Sequence, residues 1–472
     1  MARLPGVYPE IQDGGLGIVA PAGDGQRVIV GVSSAGPVNQ VVAVSDLGDV
    51  PSKLGTGPLA RAVADQLAFG GGQVYAVRGS ADVAGVVTPD AANPTTPAVT
   101  ITGNPLDAYE LVVTITKAGA IGTSAFTYSL DGGDTVSAQI ATAATYTIPG
   151  TGLTLNCAVG NYVLDSVYKF NATAPKLSVS SAQAAIRAAL NTNLLYEYIQ
   201  LAQPSDAATW AALDALAVEA ANNFRYIFFL AETVPPDAAT DVDTWVNARL
   251  AEMASFSSKH VAVVAAYGEV VDTLTGRIEV QSLAARIGAR LSASPVHVKA
   301  SWVRPGPLPG VVEIAPFVIS GTVKSTTFTN AHALALEQAG FTTVYKLEGL
   351  SGVFVVEDRM AAAPTSDFKV IANRRVVNKA VQQVRQALLP YVQQDQDPTA
   401  ASATLKAMEA DAQQSLNAMI ARGEAVRATV VIPPGQDILA TSQITIRVRI
   451  VPKGYSREII LDLGLENPFK TA

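Results

Sequence analysis

The order of turns and apolar runs in residues 1–78 is the feature that most constrains this chain. A Pro-Gly step near its start disfavours helix, because proline restricts the residue before it and glycine is permissive. Apolar runs over 28–33 and 74–78 flank a helical pattern that begins at Pro58, where the missing amide of proline is harmless. We therefore expect an extended N-terminal arm over residues 1–27, followed by a strand, a helix and a strand.

Length and charge exclude several classes of protein. At 472 residues the chain exceeds one ordinary core, so we expect roughly two to four domains. Apolar residues make up 49% of it, which excludes a disordered chain, and charged residues only 15%, which suits a surface buried against partners. The net charge of −7 argues against direct nucleic-acid binding, which favours a basic face.

The sequence carries no targeting signal, and its single cysteine limits its redox chemistry. We expect no signal peptide and no direct membrane insertion, because no apolar stretch reaches the roughly 20 residues that a membrane span needs. The single Cys157 excludes an internal disulfide and fits a reducing compartment.

The middle of the chain changes character twice. Residues 89–176 alternate apolar and polar side chains between turn signals, which predicts an all-β domain, a small sandwich or barrel, inserted into an α/β body. That body, residues 28–88 and 177–345, has continuous apolar runs between helical patterns, as in a parallel sheet covered on both faces. The sequence predicts its later helices at 181–191, 206–223, 238–257 and 276–291, with strands at 225–230 and 260–265.

The last part of the chain reads as a separate α/β domain over residues 346–455. Two long helical patterns are followed by strand patterns, the second of which alternates cleanly. A final apolar run within residues 456–472 predicts an arm strand. The predicted helices span about 368–389 and 399–422, and the predicted strands 427–432, 443–451 and 458–465.

No catalytic, cofactor or metal site is predicted. The three histidines, His260, His297 and His332, match no metal-ligand spacing, and Cys157 is expected to be a buried small hydrophobe. Residues 321–326 lack the glycine that a phosphate loop needs before its lysine. An enzyme with scattered carboxylates stays open at this point.

Several motifs at the two ends of the chain resemble contractile tail sheath proteins of phages and related injection machines. The N-terminal ones are Pro5-Gly6-Val7-Tyr8, the stretch from Gly31 to Gly36-Pro37, and Gly71-Gly72 leading to Tyr75 and Val77-Arg78. The C-terminal ones are Asn373-Arg374-Arg375 and a strand followed by Pro452 and Tyr455. The family's aromatic FEPN stretch is replaced here by Leu389-Pro390-Tyr391, which marks a divergent member.

The resemblance implies a structural subunit and not an enzyme, with no cofactor. It implies stacked hexameric rings of the chain around an inner tail tube, contraction without fuel, and contacts with the tube, baseplate and tail terminator proteins. It also implies a virion tail that is assembled in the host bacterial cytoplasm. In the family, both terminal arms extend the sheets of neighbouring subunits, a form of strand addition.

Two sets of residues follow as predicted contact sites. We expect the arms to contact neighbouring subunits through apolar side chains, and the basic helix after Asn373 to face the tube. The arm contacts are Val7, Tyr8, Ile11, Ile459, Leu461, Leu463 and Leu465, and the tube-facing residues are Arg374, Arg375, Lys379 and Arg385. The alternatives are a cytosolic α/β enzyme with a β-sandwich insertion, or another phage tail or baseplate structural protein.

Overall fold

The computed structural model describes residues 24–236, 240–320, 323–325, 327–395 and 403–465. They fall into two compact units, with the division between Gln386 and Ala387. The predicted arm contacts Val7, Tyr8 and Ile11 lie outside the described residues. The chain is a mixed α/β protein with several separate sheets, which confirms the predicted fold class at that level.

The first stretch forms the expected strand, helix and strand, and adds one more strand and a short helix between the first strand and the expected helix. Apolar residues of the first strand are fully buried, and Pro58 occupies the first turn of the second helix, where no amide is needed. The elements are β1 Arg27–Gly31, β2 Val41–Val44, α1 Val50–Leu54, α2 Pro58–Gly70 and β3 Val74–Arg78.

The next stretch consists of strands in two antiparallel sheets. Alternate residues point inward and form a core of their own, which includes Leu111, Phe126 and Tyr168. The sheet orders are β5-β10-β9 and β4-β11-β6-β7-β8. The strands are β4 Val87–Pro89, β5 Val99–Gly103, β6 Tyr109–Lys117, β7 Ala125–Ser129, β8 Ile140–Ala141, β9 Thr145–Ile148, β10 Leu153–Cys157 and β11 Val167–Ala172.

Helices and strands then alternate and complete a central sheet with the order β14-β13-β12-β1-β3-β2. Its strands are parallel except β2, and helices begin at side-chain caps such as Asp206, which accepts from the Thr209 amide. The elements are α3 Val179–Leu190, β12 Tyr198–Pro204, α4 Ala207–Asn222, β13 Phe228–Glu232, α5 Val242–Ala254 and β14 Val261–Val264.

The rest of this unit contains one clear error of the sequence reading. The helix predicted over 276–291 is wrong in its first half, because residues 278–282 alternate apolar and polar side chains and pair with the preceding strand. The elements are β15 Tyr267–Val271, β16 Ile278–Ser282, α6 Ala284–Ser292, β17 Val311–Ile314, β18 Phe317–Ser320, β19 Val323–Ser325, α7 Asn330–Ala339, β20 Val344–Tyr345, β21 Phe354–Val355 and α8 Ile371–Leu388.

The second unit packs a hairpin against one long helix. Its elements are α9 Ala403–Ala421, β22 Arg427–Val431, α10 Ile438–Thr441 and β23 Arg447–Val451. The strand predicted over 443–451 is therefore shorter than expected. The strand predicted over 458–465 does not form within the described chain, because no strand there pairs with it.

Candidate functional site: assembly surfaces

The residues first considered for catalysis have structural roles. His260 Nδ1 lies 3.0 Å from Asp214 Oδ1, and the Thr329 amide donates to His332 Nδ1 at 3.0 Å. Burial raises the pKa of the Cys157 thiol, which disfavours the reactive thiolate. Within the described ranges, no group of His, Cys, Asp or Glu side chains is arranged to hold a metal ion. The helices of those ranges also include none long and apolar enough to cross a membrane.

The basic side chains of α8 are not a surface. Arg374, Arg375 and Lys379 are only 8%, 1% and 2% exposed. Helix α8 turns them toward the body of the first unit, so the prediction that these three face a tube is wrong for this conformation. The i, i+4 spacing did place Arg375 and Lys379 on one face, but that face is the buried one.

Glu197, the residue directly before strand β12, explains why Arg375 can be buried. The Arg375 guanidinium donates from Nε to Oε1 and from Nη2 to Oε2 of Glu197, the second bond at 3.0 Å. Burial alone lowers the pKa of Arg375, but the Glu197 carboxylate outweighs it and leaves that pKa raised. The Gly25 amide also donates to Glu197 Oε2, at 2.9 Å. One carboxylate therefore joins the start of the described chain to α8.

The neighbouring basic residues are held in other ways. Lys379 donates to Asp24. Burial lowers the pKa of Arg374 to about 10, and its guanidinium lies over the Phe368 ring at 5.4 Å. Arg385 is half-buried, with its guanidinium 4.5 Å from the centroid of the exposed Phe224 ring.

A second buried charge cluster, missed by the sequence reading, joins the all-β stretch to the α/β body. Arg61 of α2 donates to Asp107, which precedes β6, and to Glu279 Oε2 of β16 at 3.1 Å. Burial raises the pKa of Asp107 although Arg61 opposes the shift. The three residues lie far apart in sequence, so no local pattern could have found them.

The hairpin of the second unit has two different faces. Ala428 and Val430 of β22 are buried, and Val448 and Ile450, paired with them, are half-buried. The opposite face carries the exposed arginines Arg427, Arg447 and Arg449. In the described part of the chain these three guanidinium groups form no ion pair.

The segment after the hairpin is the most exposed apolar stretch of the described chain. Its exposed fractions are 81% for Ile459, 78% for Leu461, 89% for Leu463 and 107% for Leu465. Contiguous exposed apolar side chains mark an interaction site. The predicted arm contacts of this segment are thus placed at a surface, without a partner strand.

The solved structures with a similar fold include a baseplate chain, a chain of a contracted sheath complex and a sheath tail protein. A chain of the anti-feeding prophage baseplate matches with a TM-score of 0.54 and 14% identity, covering 99% of this chain and 100% of that one. A chain of the PVC sheath complex of an extracellular contractile injection system, in the contracted state, matches with a TM-score of 0.53 and 12% identity, covering 99% and 98%. The sheath tail protein of Desulfitobacterium hafniense matches with a TM-score of 0.49 and 13% identity, covering 95% and 100%.

The fold is therefore that of contractile tail sheath proteins, in a divergent form, which confirms the resemblance read from the two ends of the sequence. Residues 4–359 match the model of the DUF2586 N-terminal domain, and residues 367–470 that of the DUF2586 C-terminal domain. The chain belongs to the DUF2586 family. No curated protein matches it.

Proposed function

We propose that this chain is the structural subunit of a contractile tail sheath. Copies polymerise as stacked hexameric rings around an inner tail tube, and contraction drives the tube through the envelope of a target cell. The extended state is metastable and the contracted state lies lower in free energy, so contraction needs no nucleotide. The assembly belongs to a virion tail or a related injection device, and forms in the host bacterial cytoplasm.

The observation that carries this proposal is the exposed C-terminal arm. A segment with Leu461, Leu463 and Leu465 almost fully exposed is an aggregation hazard unless a partner covers it. A strand donated to a neighbouring subunit satisfies its own backbone groups and buries these side chains. The part of the N-terminal arm that carries Val7, Tyr8 and Ile11 is proposed to act in the same way. The arm was predicted to reach residue 27, but Arg27 is already the first residue of β1.

Two further parts of the proposal, the tube contact and the inserted domain, each rest on one observation. Arg385 is the accessible member of the four basic residues on α8, and we keep it as the proposed tube contact. The strands of residues 89–176 are proposed as an inserted domain, because Val83 and Lys176 exchange backbone hydrogen bonds where the chain enters and leaves.

A baseplate subunit is the second candidate function, since a similar fold occurs in the anti-feeding prophage baseplate.

Electron microscopy and sedimentation of the purified full-length chain test the proposal. We expect rings or tubes of many copies. A chain truncated after Lys453 should stay folded by circular dichroism and form neither. A matched control replaces Ile459, Leu461, Leu463 and Leu465 by serine, which keeps the length of the arm and should abolish assembly as well. A monodisperse monomer or dimer of the unmodified chain at all concentrations would overturn the proposal.

A further inference from the structure

The all-β stretch contacts the α/β body through one guanidinium group and two carboxyl groups. Arg61 of α2 donates from Nη1 to Glu279 Oε2 of β16 at 3.1 Å, and from Nη2 to Asp107, which lies two residues before β6. We call these three residues the Arg61 joint. Their side chains are 18% exposed for Arg61, 11% for Asp107 and 17% for Glu279. One positive charge therefore faces two carboxyl groups that are largely removed from water, and it balances only one of them when both are ionised.

A third carboxyl group adds negative charge beside the Arg61 joint. Asp272, directly after β15, accepts hydrogen bonds from the Thr275 amide at 2.7 Å and from Gln281 Nε2 at 3.0 Å. Gln281 Nε2 also lies 3.3 Å from Glu279 Oε2, so one amide group bridges the two carboxyl groups. Burial raises the pKa of Asp272, but these hydrogen bonds and the charge of Arg61 outweigh it and leave that pKa lowered, so Asp272 stays ionised at neutral pH.

The second guanidinium group of this region is paired elsewhere. Nε of Arg286, in α6, lies 3.3 Å from Asp65 Oδ2 of α2. Tyr109 of β6 and Glu232 of β13 also face Arg61, and neither of them carries a positive charge. Among the described residues, two guanidinium groups are thus shared by four carboxyl groups in or beside the Arg61 joint, which are those of Asp65, Asp107, Asp272 and Glu279.

The two carboxyl groups of the Arg61 joint both favour their protonated forms. Burial raises the pKa of Asp107 and of Glu279, Arg61 opposes the shift in each case, and Asp272 adds to it. A carboxyl group whose pKa is higher in the docked state stabilises that state below its ordinary pKa, which is 3.8 for Asp107 and 4.5 for Glu279. The stabilisation is lost as pH rises through the docked-state value, because opening the joint releases a proton to water.

A second contact of the all-β stretch has balanced charges. Oδ2 of Asp131, the second residue after β7, lies 3.8 Å from Nε of Arg277, the residue before β16. Burial raises the pKa of Asp131, but hydrogen bonds from Ser129 and Thr135 and the charge of Arg277 outweigh it and leave that pKa lowered. This contact is therefore strongest with its carboxyl group ionised and weakens as pH falls. The two contacts have opposite pH dependence.

We propose that the Arg61 joint is a proton-sharing contact: its two carboxyl groups hold one proton between them while residues 87–172 are docked, and release it to water when the joint opens. Docking of the all-β stretch on α2 and β16 therefore weakens as pH rises, by up to about tenfold in the opening equilibrium per pH unit for one proton. The inference concerns the subunit and does not rest on the proposed function, so a chain that never assembles can still confirm it or overturn it.

Hydrogen exchange of the full-length chain, corrected for intrinsic exchange rates, measures the opening of the joint. D107N and E279Q each leave one carboxylate against Arg61. Each should raise protection of residues 87–172 and of β16 by at least about tenfold at pH near 8, and by less than about threefold at pH near 4. The double variant D107N/E279Q leaves Arg61 without a carboxylate and should lower protection at pH near 8. Each variant is compared with the unmodified chain at the same pH, so that the titration of Glu232 affects both alike.

Two controls separate the proton from other effects of charge. D134N removes an exposed carboxylate of the same stretch and should change protection little at either pH. D131N removes a carboxylate that Arg277 balances and should lower protection at pH near 8, the reverse of D107N. If either D107N or E279Q leaves protection unchanged or lower at pH near 8, or raises it equally at both pH values, the carboxyl groups share no proton and the proposal is wrong.

Infrared spectroscopy provides a readout that does not depend on exchange. At about pH 5 the unmodified chain should show the carbonyl stretch of a protonated carboxyl group that is lost in D107N and in E279Q but kept in D131N. Loss of this band in both single variants identifies the shared proton, since each variant removes only one of the two carboxyl groups. If neither variant loses the band, or only one does, the proton is not shared and the proposal is overturned.

Discussion

Two groups of arginine side chains in this protein have opposite roles. On α8, Arg374 and Arg375 are buried inside the first unit, and Arg375 forms a two-bond ion pair with Glu197. On the hairpin of the second unit, Arg447 and Arg449 are exposed and without an ion pair in the described chain. Both groups look alike in the sequence, as basic residues within regular elements.

Solvation explains the difference. A charge that leaves water costs several kcal/mol, so a buried arginine needs compensation from a carboxylate, from carbonyl groups or, as for Arg374, from the face of an aromatic ring. Arg375 has both a carboxylate and a carbonyl group, since its guanidinium also donates to the Ser294 carbonyl at 3.1 Å. An exposed arginine needs no such partner and stays available for another molecule. The first group stabilises the subunit, and the second is suited to recognition.

Replacing Arg375 by alanine should have the largest effect on stability. It leaves Glu197 buried without its cation, which costs about 3–5 kcal/mol in the free energy of unfolding. The three tryptophans, Trp210, Trp245 and Trp302, all lie in the first unit, so fluorescence during urea unfolding reports on it. The double variant R375M/E197L should be closer to the unmodified chain than R375A. An unchanged midpoint for R375A would refute the role of this pair.

Replacing Arg61 by alanine should have the next largest effect on stability. Asp107 and Glu279 then lose the guanidinium that compensates their charges. Because both carboxyl groups are largely removed from water, the free energy of unfolding should fall by about 2–3 kcal/mol. Hydrogen exchange should rise in the strands of residues 87–172 and in β16 together. R187A, which removes an exposed pair with Glu219, is the control and should change neither. If protection from hydrogen exchange is lost in only one of these two regions, Arg61 does not hold them together.

Glu232 provides a buried carboxyl group that, among the described residues, has no ion pair. Burial raises its pKa from 4.5 to about 7. The folded chain therefore holds a proton that the unfolded chain releases, and stability falls as pH rises from 4.5 through about 7. E232Q should stabilise the chain by about 2–3 kcal/mol at pH near 8 and have no effect near pH 4. A stabilisation that is equal at both pH values would exclude this explanation.

Replacing Arg447 and Arg449 by alanine should have the smallest effect on folding. Exposed side chains without partners contribute less than about 0.5 kcal/mol each, so the thermal midpoint should hardly move. Assembly should nevertheless weaken, whereas R375A is expected to lower the stability of the subunit itself. If R447A/R449A unfolds the second unit, measured by hydrogen exchange in α9, these arginines are structural and the comparison with α8 fails.

The spacing of apolar residues predicted the correct secondary structure where neighbouring residues alone decide it. The helix predicted over 206–223 forms as Ala207–Asn222, capped by Asp206 as expected, because the cap and the apolar spacing are properties of neighbouring residues. It failed at residues 278–282, where an alternating run was included in a helix. At 458–465 an apolar alternating segment has no strand beside it in the described chain, so its pairing with a neighbouring subunit stays a prediction. A strand depends on its partner, and a partner is not visible in the segment itself.

The sequence by itself determined the mixed α/β class, the family resemblance at both ends and the apolar alternation of the C-terminal arm. Each of these is encoded by neighbouring residues or by a short ordered motif. Only the tertiary structure decided which basic residues are buried and which edge of the hairpin is covered by α9. Glu197 is 178 residues from Arg375, and Gln413 is 15 from Ala428, so these contacts arise from folding alone. Burial then decides whether a charge stabilises the subunit or remains available to a partner, because desolvation is tolerated only where a compensating group lies within bonding distance.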